Sequence, residues 1–353
     1  MRAGSIASEA WRNVLSGTTR AAVWAGLFFV LVTVLASADS LVVARLITAA
    51  TQYRSSGAST LVVRSIGGID GRTCEALSEM GPVTGSGAVR QDREPIALEA
   101  LPGASIPHWE ATAGLQSLLT AHAVNPGDVL LSAGAAAQAG VAAGSPLIST
   151  TGPIWVHDIY DYPEDGRQPE LGYAVVTQAP ADGVFDQCWI DVWPQDASLA
   201  ALSRVVLRDN PSGVDQVTIT QLNQTLGEVF TGPGDYRSRI TRFAPLVAFL
   251  VALLLGAVSV LTRKTELATA LHFGVTRSGL VAQILLESLS WIIGGVLLAA
   301  PFIVWVARAV PDLTTLLLPS ATTLALACVA AILGVLAPCL AVRERALFTY
   351  QRQ

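Results

Sequence analysis

The sequence predicts an α-helical membrane protein with four transmembrane helices and an α+β extracytoplasmic domain inserted between helices 1 and 2. Three observations predict this fold class. Of the 353 residues, 52% are hydrophobic and only 14% are charged, whereas about a quarter of an ordinary soluble protein is charged. Long uncharged runs lie near both ends of the chain. The middle of the chain has the composition of a soluble domain.

Four apolar runs are long enough to cross a bilayer as helices. A bilayer core of about 30 Å requires roughly 20 mostly apolar residues. The first run is longer than the roughly 7 to 15 apolar residues of a signal peptide. We therefore expect a retained helix there, although "ASADS" (residues 36–40) resembles a weak cleavage site. The predicted spans are residues 21–44 (with the start of a stalk), 243–262, 280–307 and 321–342.

Basic residues next to the spans predict the orientation, because cytoplasmic loops of membrane proteins are rich in Lys and Arg. They form three groups, before the first run, between the second and third, and after the fourth: Arg2, Arg12 and Arg20; Arg263, Lys264 and Arg277; Arg343, Arg345 and Arg352. We expect a multi-pass protein of the cell (plasma or inner) membrane. Its cytoplasmic parts are the arm 1–20, the loop 263–279 and the tail 343–353, and its outer parts are the domain 45–242 and the loop 308–320.

The inserted segment 45–242 carries 21 Asp and Glu against 12 Arg, and its pattern predicts alternating strands and helices. Residues 60–91 predict a strand, a helix from about Cys74 to Met80 and a second strand. Residues 129–149 repeat this order, and 152–163 predict one further strand. Another strand ends near Trp193 and is followed by a helix capped by Asp196 or Ser198. The flanking segments 40–56 and 216–230 have a helical pattern and predict stalks.

The four cysteines divide into two pairs. Cys74 and Cys188 are the two in the inserted domain, and an oxidising compartment favours a disulfide between them. Two buried free thiols remain the alternative. Cys328 and Cys339 lie about 16 Å apart along one helix, so they cannot bond to each other within one chain.

No motif for catalysis or for cofactor binding is found in the sequence. His108, His122, His157 and His272 lie in unrelated contexts without metal-ligand spacing. The chain has one lysine, Lys264, and no glycine loop precedes it, so a P-loop for ATP is excluded. We expect a non-catalytic subunit with no catalytic residue, metal or cofactor and no nucleic-acid partner.

The loop between the second and third spans predicts a short helix from Thr265 to Phe273, ended by Gly274. Its small apolar face suits a groove on a partner protein. The alternative is a membrane-surface helix that ties two spans together. The apolar face consists of Leu267, Ala270 and Leu271, with Arg263, Lys264 and Glu266 at the N-terminal end.

This loop resembles the coupling helix of the FtsX-like and MacB-like permeases, the type VII ABC transporter permease family. Further resemblances are Glu287 followed by Gly294 and Gly295, the ending "LAPCLAVRER", and the "VLLSAGAAAQAGVAAGSPLI" segment of the inserted domain. The chain departs from the family pattern at Leu271, His272 and Phe273. The matching loop residues are Lys264, Glu266, Leu267, Gly274, Thr276 and Arg277.

The resemblance implies the permease subunit of an ABC transporter, which pairs with a second permease subunit as a homo- or heterodimer. Two copies of a separate ATPase subunit drive export or extraction of an amphiphilic substrate, by mechanotransmission through the coupling helices. An FtsX-type signalling permease that controls an extracytoplasmic cell-wall hydrolase is an alternative. An ATP-independent membrane receptor or scaffold is another.

Glu287 is the one ionisable residue of the third span. It lies about 10 Å into the helix, where an unpaired carboxylate in lipid costs a few kcal/mol. We therefore expect Glu287 to face protein, with Arg263 as a candidate partner.

Overall fold

The computed structural model describes residues 3–99, 103–120, 125, 127–195, 205–207, 217–308 and 313–341. The chain forms two compact units, Ala50–Phe230 and the combination of Met1–Ala49 with Thr231–Gln353. The described helices are α1 (Ala3–Leu15), α2 (Ala21–Ser55), α3 (Gly71–Ala76), α4 (Ala113–Leu119), α5 (Ala133–Ala139), α6 (Gly232–Ser238), α7 (Ala244–Leu261), α8 (Lys264–His272), α9 (Arg277–Ala307) and α10 (Leu313–Ala341).

The described strands all lie in the unit Ala50–Phe230. They are β1 (Thr60–Asp70), β2 (Val83–Gln91), β3 (Ile96–Ala97), β4 (Ser105–Ile106), β5 (His108–Ala111), β6 (Val129–Ser132), β7 (Pro146–Ser149), β8 (Gly152–Trp155), β9 (Asp158–Tyr160), β10 (Val175–Gln178), β11 (Val184–Val192) and β12 (Thr218–Gln221).

Four helical segments among the described residues are long and apolar enough to cross a membrane, so the chain is a membrane protein. The second segment joins α6, a 3-10 turn at Ile240–Phe243 and α7. α2 continues from the first span to Ser55 as one helix. The four segments are Ala21–Ser55, Gly232–Leu261, Arg277–Ala307 and Thr314–Ala341.

The closest helix packing in the membrane unit is between α7 and α10. A Cβ atom on Gly256 of α7 would lie 2.3 Å from the Ala331 carbonyl oxygen, and one on Gly334 of α10 would lie 2.1 Å from the Leu253 carbonyl oxygen. Small residues permit such close backbone approach, which favours helix association in lipid through van der Waals contact. Gly295 of α9 has the same role against α2, since a Cβ there would lie 3.1 Å from the carbonyl oxygen of residue 25.

The inserted unit is built on a mixed sheet of eight described strands in the order β12-β1-β11-β2-β5-β10-β6-β9. β1 and β2 both pair antiparallel with β11, which lies between them. β1 and β2 are therefore parallel, and with α3 they form a split β-α-β unit. The predicted succession of strand and helix is observed, and the α+β fold class is confirmed.

The Cys74–Cys188 disulfide is present, with a Cα–Cα distance of 6.0 Å across a sequence separation of 114. This distance is ordinary for a disulfide. The bond joins α3 to the interior strand β11 within a buried apolar cluster that includes Leu77, Phe185 and Ile190. The prediction of a disulfide is confirmed.

An ion pair between Asp165 and Arg167 holds the acidic loop after β9. Asp165 accepts hydrogen bonds from the Arg167 guanidinium at 2.9 and 2.7 Å. These bonds hold the pKa of Asp165 below its ordinary value of 3.8. Arg167 also donates to the Ser55 carbonyl oxygen at 3.0 Å, so the loop is attached to the last turn of α2.

Three local predictions are wrong. Residues 216–230 do not form a helical stalk, because residues 218–221 are strand β12, which pairs with β1. Residues 152–163 form two strands in different sheets, because β8 pairs with β7 while β9 pairs with β6. The outer loop 308–320 is shorter than predicted, because α10 begins at Leu313 and continues through Pro319. The helix predicted after Trp193 falls largely outside the described residues.

Candidate coupling site

Two local structures shape the loop between α7 and α9. One is a glycine turn that ends α8, and the other is an N-cap that begins α9. α8 ends in a Schellman motif, in which the Gly274 N–H donates to the Leu271 carbonyl and the Val275 N–H donates to the Ala270 carbonyl. Gly274 has φ of +88°, a conformation that favours glycine. Thr276 then caps α9 by accepting from the Gly279 N–H at 3.3 Å.

The apolar face of α8 points into the protein. Leu267 is 6% exposed and Ala268 is fully buried, and both belong to the core of the membrane unit. Ala270 and Leu271 are half-buried and pack against the same core. Of the predicted docking face, Leu267 is covered by the bundle, whereas Ala270 and Leu271 keep part of their surface exposed. Docking of this face on a partner stays a prediction for Ala270 and Leu271.

The exposed surface of this loop has a different set of residues. Phe273 is 82% exposed, and the Glu266 side chain is 53% exposed. Lys264 is half-buried. Phe273 thus places a large apolar side chain at the exposed end of the loop, beside the polar His272. The other exposed residues of the loop 263–279 are His272, Gly274, Thr276, Arg277 and Ser278.

Glu287 lies at the centre of a buried polar junction in the same unit. Its side chain is 4% exposed, and its Oε2 accepts from Arg263 Nη1 at 2.6 Å. Its Oε1 accepts from Asn13 Nδ2 at 2.8 Å and from Gln283 Nε2 at 3.2 Å. Arg263 Nε also donates to Glu266 at 2.9 Å. The junction joins α1, the start of α8 and α9.

A small cavity of about 20 Å³ lies beside this junction, lined in part by Arg263, Glu287, Thr19 and Ser259. Its volume suits a single water molecule. The buried Thr19 hydroxyl has no hydrogen-bond partner among the described residues. Within the described part of the chain, no group of three or more His, Cys, Asp or Glu could hold a metal ion. His122 and the arginines of the tail lie outside the described residues.

Two residues of this region were not predicted from the sequence. Asn13 lies on the face of α1 that also carries the buried Ala10, and the spacing of Ile6, Ala10 and Asn13 is that of one helix face. That spacing was a usable signal. Phe273 was noted as a departure from the family pattern, and its exposure depends on packing that periodicity does not give.

One comparison with known proteins covers this region of the chain. Residues 242–346 match the family model "FtsX-like permease C-terminal". No curated protein matches the chain. Among solved structures, the chain is similar to the periplasmic region of MacB from Actinobacillus actinomycetemcomitans, with 11% identity and a TM-score of 0.33 over 48% of this chain and 91% of that one. The resemblance predicted from the motifs is confirmed, and the matched residues 242–346 carry α8 and Glu287.

Proposed function

We propose that the chain is the permease subunit of an ABC transporter. In this function a separate ATPase subunit hydrolyses ATP and acts on α8 from the cytoplasm. The movement passes through the spanning helices to the inserted domain by mechanotransmission, and the outcome is export or extraction of an amphiphilic substrate at the cell membrane. Two permease subunits and two ATPase subunits make the working assembly.

The observation that carries this proposal is the division of α8 into an anchored face and an exposed end. Leu267 and Ala268 are buried in the bundle core, and Arg263 is bonded to Glu287 at 2.6 Å. A force applied at the exposed Phe273 therefore acts on a helix that is bound to α9, so α8 cannot rotate independently of the bundle. The loop lies within the matched FtsX-like domain.

The proposal includes a separate ATPase because the sequence of this chain has no P-loop. Lys264 is the only lysine of the chain, and the residues before it are "VLTR". A P-loop requires a glycine loop followed by lysine, which cradles and binds the phosphates. Energy from ATP therefore has to enter through a contact surface, and the exposed residues of the α8 loop provide one.

The test is co-purification of an ATPase with the tagged, full-length chain from its native membranes. Burial of one phenylalanine side chain contributes about 1.5–3 kcal/mol, and 1.4 kcal/mol is tenfold in affinity. We expect Phe273→Ala to reduce the co-purified ATPase and its activity by roughly tenfold or more. Phe243→Ala, at a 46% exposed phenylalanine before α7, is the matched control and should retain wild-type levels.

The possible outcomes separate the alternatives. Equal ATPase recovery with wild type and Phe273→Ala would exclude the exposed end of α8 as the main contact. Absence of any ATPase with the wild-type chain would favour an ATP-independent receptor or scaffold. If the ATPase is recovered and a cell-wall hydrolase binds the inserted domain, the signalling permease is the better assignment.

A further inference from the structure

The N-terminal helix α1 shares a buried charge with α8. The two carboxylate oxygens of Glu287 accept hydrogen bonds from different helices. Oε1 accepts from Asn13 of α1 at 2.8 Å, and Oε2 accepts from Arg263 at the start of α8 at 2.6 Å. The third donor, Gln283, belongs to α9, as Glu287 itself does. One carboxylate on a spanning helix is thus the common partner of two separate elements.

This sharing makes the two contacts depend on each other. A carboxylate with a 4% exposed side chain has little water to replace a lost partner, and a buried charge that loses a partner is strongly destabilised. If α8 moves and Arg263 leaves, Glu287 keeps only the neutral donors Asn13 and Gln283. The Glu287 carboxylate, having lost its cationic partner, then moves to a more favourable position. Its hydrogen bond with Asn13 of α1 changes as a result.

We propose that α1 takes part in coupling together with α8 and α9. It is linked to α8 through Glu287, and Asn13 is its positioning residue. This inference rests on the proposed role of α8. A displacement of α8 by the ATPase is passed to α1 as well as to α9. α1 also packs along α9, where Ala10 is 3% exposed, so a change at Asn13 affects how α1 lies on the bundle.

The test is hydrogen exchange on the full-length chain in lipid nanodiscs, without ATPase. Coupling between two sites is reciprocal, so each helix should respond to a change in the other. Arg263→Met removes the α8 contact, and we expect amide exchange in α1 to rise about fivefold or more. Asn13→Leu removes the α1 contact with a side chain of similar shape, and we expect exchange in residues 267–272 to rise by a similar factor.

Two controls separate linkage from general damage. Arg277→Met makes the same substitution at an exposed arginine of the same loop and should leave α1 exchange within twofold of wild type. Arg263→Lys keeps the positive charge and should restore most of the α1 protection that Arg263→Met removes. If Arg263→Met does not insert into the membrane, the Asn13→Leu variant with its α8 measurement carries the test alone.

The results distinguish this inference from the proposed function. Faster exchange in α8 with unchanged exchange in α1 after Arg263→Met would mean that the Arg263–Glu287 pair acts locally, and the inference would be wrong. Unchanged exchange in both helices would also overturn it. Because no ATPase is present, failure of Phe273→Ala to affect ATPase binding would count against the proposed function only.

Discussion

Gly256 and Gly334 should control the stability of the membrane unit through the distance between α7 and α10. Alanine at Gly256 would place its Cβ 2.3 Å from the Ala331 carbonyl oxygen, about 1 Å inside the ordinary contact distance of 3.4 Å. The obstacle is backbone, so no side chain can rotate away. The helices therefore have to separate by roughly that amount, and a gap of 0.5–1 Å already loses about a quarter to a half of the contact energy of the atoms involved.

The expected loss is about 1–3 kcal/mol, the usual range for overpacking. Alanine also favours a helix over glycine by about 1 kcal/mol, and this gain would hide part of the loss. Gly26→Ala on α2 is the matched control, because nothing lies within 4 Å of a Cβ at that position. The difference between the two variants isolates the packing contribution, and we expect it to be about 1–3 kcal/mol in favour of Gly26→Ala.

The assay is thermal unfolding of the purified chain in nanodiscs, followed by tryptophan fluorescence. Gly334→Ala should behave like Gly256→Ala, since its Cβ would lie 2.1 Å from the Leu253 carbonyl oxygen. The double variant should lose less than the sum of the two, because one separation of the helices relieves both contacts. Equal melting temperatures for Gly256→Ala and Gly26→Ala would refute the reasoning, as would full additivity in the double variant.

Three further predictions concern the inserted unit and the junction. Replacing Cys74 and Cys188 by serine should destabilise the inserted unit by about 2–4 kcal/mol, and alkylation in membranes before reduction should leave both wild-type residues unlabelled. Arg263→Met should destabilise the membrane unit by about 3–5 kcal/mol, more than Glu287→Gln does, because the former leaves a buried charge; similar melting temperatures would contradict this. The pKa of Asp165 is lower in the folded protein than its ordinary value. The ionised Asp165 therefore stabilises the fold above its ordinary pKa of about 4. This stabilisation is lost as the pH falls through the pKa that Asp165 has in the folded protein. Asp165→Asn should therefore lower the melting temperature at pH 7 and make the acid side of the profile flatter.

Features that follow from composition, or for which the sequence offers few candidate residues, were predictable. The four spans follow from long apolar runs, and length and apolarity are sufficient for such a prediction. The disulfide was predictable because the inserted domain has only two cysteines, Cys74 and Cys188. The candidate partner of Glu287 was also predictable, since Arg263 is a basic residue at the end of the neighbouring span.

Features that depend on which of many distant segments packs against a residue were not predictable. Residues 218–221 have a sequence that fits several structures, and only their pairing with residues 61–64 of β1 makes them a strand. The face of α8 was located by its period of 3.6, but a period does not say which neighbour covers the face. Leu267 was therefore assigned to a partner protein, whereas the bundle core contains it. The role of Asn13 depends on contact with a residue 274 positions away.

The two kinds of contact that hold α8 have different consequences for coupling. The apolar contacts of Leu267 and Ala268 depend on buried area and tolerate small rotations, because hydrophobic contact has no preferred direction. The bond between Arg263 and Glu287 is directional, since a guanidinium and a carboxylate interact well only in a narrow geometry. The apolar face therefore keeps α8 on the bundle, while the ion pair sets its rotation and with it the direction of Phe273. Weakening the apolar face should release the helix, whereas weakening the ion pair should leave α8 attached but turn its exposed end away from the contact that we propose for an ATPase.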